Sequence, residues 1–156
     1  MTEDDSVIGS IERSKAHLDQ ILHRSGVIFL VRSDGKILLQ RRSPKRKTFP
    51  ACWDSSSSFL VTFGETYEQA AKRELREETG VSAPLAYLGK FSYHAPPENE
   101  IVAVFSCESD QPIRFDQEES SEASFHTGTE VNVIAASETA APWLGNGWRI
   151  MTGRRI

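Results

Sequence analysis

The chain has 156 residues, the length of one domain, and its 38% hydrophobic and 26% charged residues suit a globular protein. A net charge of −4 argues against a general binder of nucleic acid or of a membrane surface, and no window approaches the ~20 apolar residues of a membrane span. Two cysteines, Cys52 and Cys107, make no disulfide framework or metal-spaced pair, and the acidic start Met1-Thr2-Glu3-Asp4-Asp5 is unlike a signal peptide, so a cytoplasmic protein is expected.

Residues 1–6 are polar and expected to fray. Residues 7–11 suggest a short strand, and residues 14–22, with Ala16, Leu18, Ile21 and Leu22, a loose turn or short helix. Val27-Ile28-Phe29-Leu30-Val31 is a continuous β-branched and aromatic run, which predicts a buried strand. Ser33-Asp34-Gly35-Lys36 carries the Asp-Gly hairpin signal, and residues 37–42 return as the partner strand. Residues 43–58, rich in Pro, Lys, Arg and Ser, predict a loop with a basic knuckle at Lys45, Arg46 and Lys47. Such a knuckle suits ordinary solvation; Arg42, Arg46 and Lys47 would equally suit a diphosphate.

Residues 59–62 suggest a short strand leading into a helix. Gly64 supplies a turn, Thr66 a cap, and Gly80 the residue just past the helix end. Residues 85–93 and 101–107 predict two more strands, separated at 94–100, where Pro96 and Pro97 forbid a continuous strand. Residues 111–121 are polar, 122–126 suit an edge strand, and 129–137 a second helix. The segment 141–148 is expected to be a loop, punctuated by Pro142, Gly145 and Gly147 and anchored by Trp143 and Trp148. Trp53, Tyr93 and Trp143 would either stack on a base or belong to the core. This order predicts an α/β fold with a mixed sheet between helices.

Within the central helix Glu74, Glu77 and Glu78 stand at i, i+3 and i+4, so three carboxylates share one face. Like charges at that spacing repel by roughly 0.2–0.5 kcal/mol per pair, a cost that a hard divalent cation with its preference for carboxylate oxygens would remove. The alternative is a solvated helix in which Arg73 pairs with Glu77. Ala71 and Leu75 occupy another face and can seat the helix.

The full string decides between them. Glu65, seven residues, then Arg73-Glu74-Leu75-Arg76-Glu77-Glu78-Thr79-Gly80-Val81 resembles the Nudix box, matching every fixed position except the opening Gly, which falls on Phe59. His23-Arg24, Leu38-Leu39-Gln40-Arg41-Arg42, Thr48-Phe49-Pro50, Trp53-Asp54 and Glu98-Asn99-Glu100 are similar to the branch holding isopentenyl diphosphate isomerases and related Nudix hydrolases. The resemblance covers residues 10–126. It implies a single Nudix-like α/β/α sandwich and hydrolysis of a small-molecule diphosphate, such as a nucleoside diphosphate derivative, by a monomer or homodimer. It implies Mg²⁺ or Mn²⁺ on Glu74, Glu77 and Glu78, with Arg73 and Glu65 orienting Glu74. A further carboxylate would take the proton, with Glu74, Glu100 and Glu118 or Glu119 as candidates.

Two other activities remain open on the same resemblance. Isomerases of this branch bind a second metal, for which His17, His23, Glu98 and Glu100 are candidates, although their catalytic Cys falls here on Ser58 and a further His on Leu60. Relatives also carry Gly-Gly-His where this chain has Ser58-Phe59-Leu60. Phe59 is expected to strain the backbone and narrow the pocket, with the serines at 55–58 restoring some flexibility. A catalytically weak Nudix-fold ligand-binding protein is the non-enzymatic alternative.

Overall fold

The computed structural model describes residues 23–95 and 98–153, the side chains of Ala95 and Glu98 excepted. The expected strand at 7–11, the helix at 14–22 and His17 lie outside these residues. Ten elements follow in order. They are β1 (His23–Val31), β2 (Ile37–Arg42), β3 (Trp53–Asp54), β4 (Ser57–Leu60), α1 (Tyr67–Thr79), β5 (Ala86–Ala95), β6 (Glu98–Glu108), β7 (Ser120–His126), α2 (Gly128–Ala135) and α3 (Pro142–Met151).

The sheet has strand order β3-β2-β1-β6-β5, with β4 added to β1 and β7 to β2. Among the strands described, β1 and β6 run parallel, in register from His23↔Glu100 to Val31↔Glu108, and the other pairs are antiparallel. The unbroken apolar run of β1 is explained by burial on both faces. Val27 and Phe29 point to one face and pack with Val102, Val104, Leu144 and Trp148 under α2 and α3. Ile28 and Leu30 point to the other and pack with Leu38, Ala103 and Phe105 against Ala70, Ala71 and Leu75 of α1. The result is the α/β/α sandwich with a mixed sheet that the sequence implied.

β1 and β2 pair only at Val31↔Ile37, beside the Asp34-Gly35 turn, and then part. β4 takes the edge of β1 so exposed, from Ser25↔Leu60 to Ile28↔Ser57. Ser56 fills the fork. Its hydroxyl accepts from the Leu30 N–H at 2.7 Å and donates to the Leu38 carbonyl at 2.6 Å, standing in for the missing ladder. The segment expected to be a loop from 43 to 58 therefore contains β3 and the start of β4. Ser55, Ser56 and Ser57 are buried and hydrogen-bonded, not a flexible spacer. Buried serine mimics loop composition because each hydroxyl can satisfy backbone groups that a regular ladder would otherwise pair.

Two further expectations are corrected. The connection placed at 94–100 is mostly strand, since β5 and β6 stay in register to Ala95↔Glu98, leaving only residues 96 and 97 between them. The 141–148 segment is the first two turns of α3, with Pro142 in its first turn, where a missing N–H costs nothing. Gly147 is helical because the helix lies close to the sheet: a Cβ there would stand 3.2 Å from Val27 Cγ2.

Phe59 is not strained. It sits in β4, outside the residues with positive φ, and is directly opposite Gly26 of β1. Its ring occupies the volume a Gly26 side chain would need, with Cζ 2.1 Å from the ideal Cβ position. Gly26→Ala is expected to destabilise the fold by about 1–3 kcal/mol through overpacking, and the loss to shrink when Phe59→Ala is present as well. Chemical denaturation of the two single variants and the double variant checks this; additive losses would mean that the two positions do not compete for space.

Candidate active site

α1 is positioned by its ends. Thr66 caps it, accepting from the Gln69 N–H while the Gln69 side chain accepts from the Thr66 N–H, and Gly80 ends it in the left-handed region at φ 79°. Buried Ala70, Ala71 and Leu75 fix its rotation, which turns Glu74, Glu77 and Glu78 toward the fork of the sheet.

Arg73 organises the first part of that acidic face. Its Nε and Nη2 donate to the two oxygens of Glu65 at 2.8 and 2.9 Å, while Nη1 donates to Glu74. Glu77, expected as its partner in a solvated helix, lies 3.6 Å from the same Nη1 and is exposed. Thr62 adds two bonds to Glu65, from N–H and hydroxyl, at 3.1 and 2.5 Å. The Arg73 guanidinium, with Thr62, holds the Glu65 carboxyl down to about 2, while the pair raises Arg73 above its ordinary value.

Glu78 is in the opposite situation. Burial pushes its carboxyl up to about 8, and Glu74, Asp54 and Glu119 add to the effect; the hydroxyl of Ser57, 2.7 Å away, only partly offsets it. Among the described residues no cation pairs with it.

A cleft of about 410 Å³ lies beside β4, and Glu65 and Arg73 stand outside its lining. Glu74, Glu77 and Glu78 form its α1 wall, and Arg42, Arg46, Asp116 and Glu119 stand across from them. Trp143, Val27 and Val102 contribute apolar surface, and Ser25 and Glu100 a polar end. Arg46 is paired with Glu119 at 2.6 Å. Arg42 is buried, donating from Nε and Nη2 to the Thr48 carbonyl at 3.2 and 3.0 Å. Lys47, placed with them from sequence, is exposed and outside the cleft lining, as are Lys45 and Glu118. His23 Nε2 meets Glu100 Oε1 at 3.0 Å, and the Ser25 hydroxyl donates to Glu100 Oε2 at 2.9 Å. Of the proposed second metal set, then, His23 and Glu100 come together; His17 and the Glu98 side chain lie outside the described residues.

Asp54, Asp116 and Ser57 were not singled out as site residues from sequence. Asp54 is buried and collects donors from 89 residues away, including the Trp143 indole N–H at 2.9 Å. Trp143 is thus both core and cleft wall, whereas Trp53 packs edge-on to His126 and Tyr93 edge-on to Trp143. Among the described residues no three His, Cys, Asp or Glu side chains converge as a ready-made cation site. The donor chemistry nonetheless fits a divalent ion, because Glu78 is a half-buried carboxyl facing three others with no counter-cation among the described residues.

Comparison with known proteins gives the family. A model of the NUDIX domain matches residues 22–145. The chain belongs to the Nudix family. An uncharacterised Nudix hydrolase of Pseudomonas aeruginosa is 37% identical over 124 residues, 79% of this Nudix chain and 73% of its own. An isopentenyl-diphosphate Delta-isomerase of Salmonella heidelberg is 30% identical over 97% of the chain and 86% of its own. A crystal structure from Deinococcus radiodurans superposes with a TM-score of 0.79 at 31% identity, covering 99% of this chain and 97% of that one. Membership supports a pyrophosphate-cleaving hydrolase in general, and Nudix hydrolases generally use divalent metal ions. No helix among the described residues is long and apolar enough to cross a membrane.

The Glu65–Arg73 clamp has a pH signature. With its folded value depressed to about 2 from the ordinary 4.5, Glu65 contributes stability above pH 4.5 that is lost as pH falls toward 2. Glu65→Gln should lower the melting temperature at pH 7 and lessen its decline between pH 5 and 2. Parallel melting curves for the two proteins across that range would show that the clamp contributes nothing.

Proposed function

We propose that this Nudix protein hydrolyses the diphosphate linkage of a nucleoside diphosphate derivative or similar small pyrophosphate, with Mg²⁺ or Mn²⁺ held by Glu74, Glu77 and Glu78. The observation that carries the reading is Glu78, a half-buried carboxyl surrounded by like charge beside the arginine-bearing wall of the cleft. When bound, a divalent ion neutralises charge on diphosphate oxygens and makes water a better nucleophile. The chain supplies the rest. Arg73, anchored by Glu65, orients Glu74. Arg42 and Arg46 face the negative charge of the diphosphate. Glu119, on the wall opposite α1, takes the proton as a water oxygen bonds to phosphorus and the bridging P–O bond breaks, releasing a phosphate or phosphomonoester. A net charge of −4 is in keeping with a small diphosphate as partner, not a nucleic acid.

A second reading draws on the isomerase relative and on the contact between His23 and Glu100. Ser58 and Leu60, at the positions of the isomerases' Cys and His, weigh against it. Proton exchange at an isoprenoid diphosphate without phosphate release would select that reading.

A panel of nucleoside diphosphate derivatives assayed for phosphate release with Mg²⁺ and Mn²⁺ tests the hydrolase directly. Glu77→Gln and Glu78→Gln should each cut turnover by roughly a hundredfold or more with the fold intact. Undiminished activity in both would place the metal elsewhere. No turnover by the wild type, with a ligand still raising the melting temperature, would mark a binding protein instead.

Glu78 also predicts how metal and pH interact. Because its folded value is raised, the metal-free fold binds a proton that the unfolded chain releases, so its stability falls as pH rises from 4.5 to about 8. The rise in melting temperature on adding Mg²⁺ should therefore grow across that window, and Glu78→Gln should flatten it. A Mg²⁺ effect independent of pH would remove Glu78 from the ligand set.

A further inference from the structure

Asp54 is 4% exposed and lies beneath the cleft wall formed by Arg42 and Trp143. Its Oδ1 accepts from the Ser55 N–H at 2.7 Å, the Ser55 hydroxyl at 3.3 Å and the Trp143 indole N–H at 2.9 Å. Its Oδ2 accepts from the Ser58 hydroxyl at 3.2 Å and from Arg42 Nη1 at 3.4 Å. One carboxylate thus ties β3 to α3 and to the last residue of β2. The guanidinium and the indole it holds also meet each other, with Arg42 Cζ 5.3 Å from the Trp143 ring centroid.

The donors of Arg42 show what this arrangement leaves over. Nε and Nη2 are taken by the carbonyl and hydroxyl of Thr48, and Nη1 reaches Asp54 only at the long distance of 3.4 Å. A guanidinium has five N–H groups, two of them on Nη1. One Nη1 hydrogen has no hydrogen-bond partner among the described residues, on a side chain that is 6% exposed and lines the cleft. A buried charged donor without an acceptor is costly unless a ligand supplies one, and a phosphoryl oxygen is the acceptor that best matches a guanidinium.

We infer that Asp54 is a positioning residue: from beneath the cleft it fixes Arg42 and Trp143 together as one subsite, a cation beside an aromatic wall, for the diphosphate end of the substrate. The inference rests on the hydrolase reading for the identity of the substrate, but not for its test. Asp54 is absent from the lining of the 410 Å³ cleft and so acts there through Arg42. Its negative charge also offsets the buried guanidinium while the cleft is free of ligand, so that the arginine need not turn away from the cavity to find a counter-charge.

The test is calorimetric binding of inorganic diphosphate to the full chain, alongside steady-state kinetics. Asp54→Asn keeps the size and an acceptor for the Trp143 and Ser55 donors but removes the charge facing Arg42. It should weaken diphosphate binding by about tenfold and raise KM in proportion, with kcat within about twofold. In an Arg42→Lys background the same change should add little, because the group through which it acts is already altered. Unchanged binding, an equal effect in both backgrounds, or a fall in kcat and melting temperature with KM untouched would each overturn the assignment. Should Asp54→Asn fail to fold, Trp143→Phe deletes one donor to Asp54 while keeping a ring. Its direct effect on the wall is common to both backgrounds, so it is expected to weaken binding more in the wild type than in Arg42→Lys, and equal effects in the two would overturn the assignment. Binding is read without turnover, so absence of hydrolysis defeats the hydrolase reading alone and unaltered binding defeats this one alone.

Discussion

Negative charge is crowded into the fork of this sheet, and the side chains around it are arranged to contain that charge. Two carboxylates about 6 Å apart repel by about 3 kcal/mol at an effective dielectric of 20, so several in one cleft need compensation. Three arginines supply part of it: Arg73 for Glu65 and Glu74, Arg42 for Asp54, and Arg46 for Glu119. Glu78 is left with a serine hydroxyl. The imbalance is greatest at Glu78, a half-buried carboxyl with like charge around it, and such a site favours either a proton or a cation there.

The scaffold makes this imbalance affordable by keeping the carboxyls on different elements. α1 carries its glutamates on one side of the cleft, β3 carries Asp54 below, and the segment before β7 carries Asp116 and Glu119. They meet only because β1 and β2 diverge after a single bridge, with Ser56 satisfying the backbone groups that the divergence would strand. Were the two strands paired along their length, β4 would have no edge to occupy and the cleft no opening beside it.

What could be read from the chain alone follows the physics of each element. α1 was legible from Thr66 to Gly80 because its cap, its apolar face and its stop are local signals. β1 and β2 were legible because a continuous apolar run and an Asp-Gly turn are equally local. β4 was hidden, since Ser57 owes its place to Glu78, 21 residues along the chain, and the strand itself to its pairing with β1. α3 was hidden as well: Gly145 and Gly147 suggest a break, and only the closeness of Val27 to Gly147 explains why a glycine suits the helix. At the site, the acidic helix and Arg42 and Arg46 were visible, whereas Asp54 gained its meaning from Trp143, 89 residues away. Lys47 was misplaced because its neighbours' charge says nothing about which way a loop turns its side chains.

The interlock of Gly26 with Phe59 also bears on how such a chain can change over time. With a ring at 59, any side chain at 26 clashes; with glycine at both, a void would open in the core under α1. Drift between the two arrangements thus has a preferred order, in which 59 must shrink before 26 can grow. The present pairing sits at one end of that route, and growth at position 26 alone is closed to it.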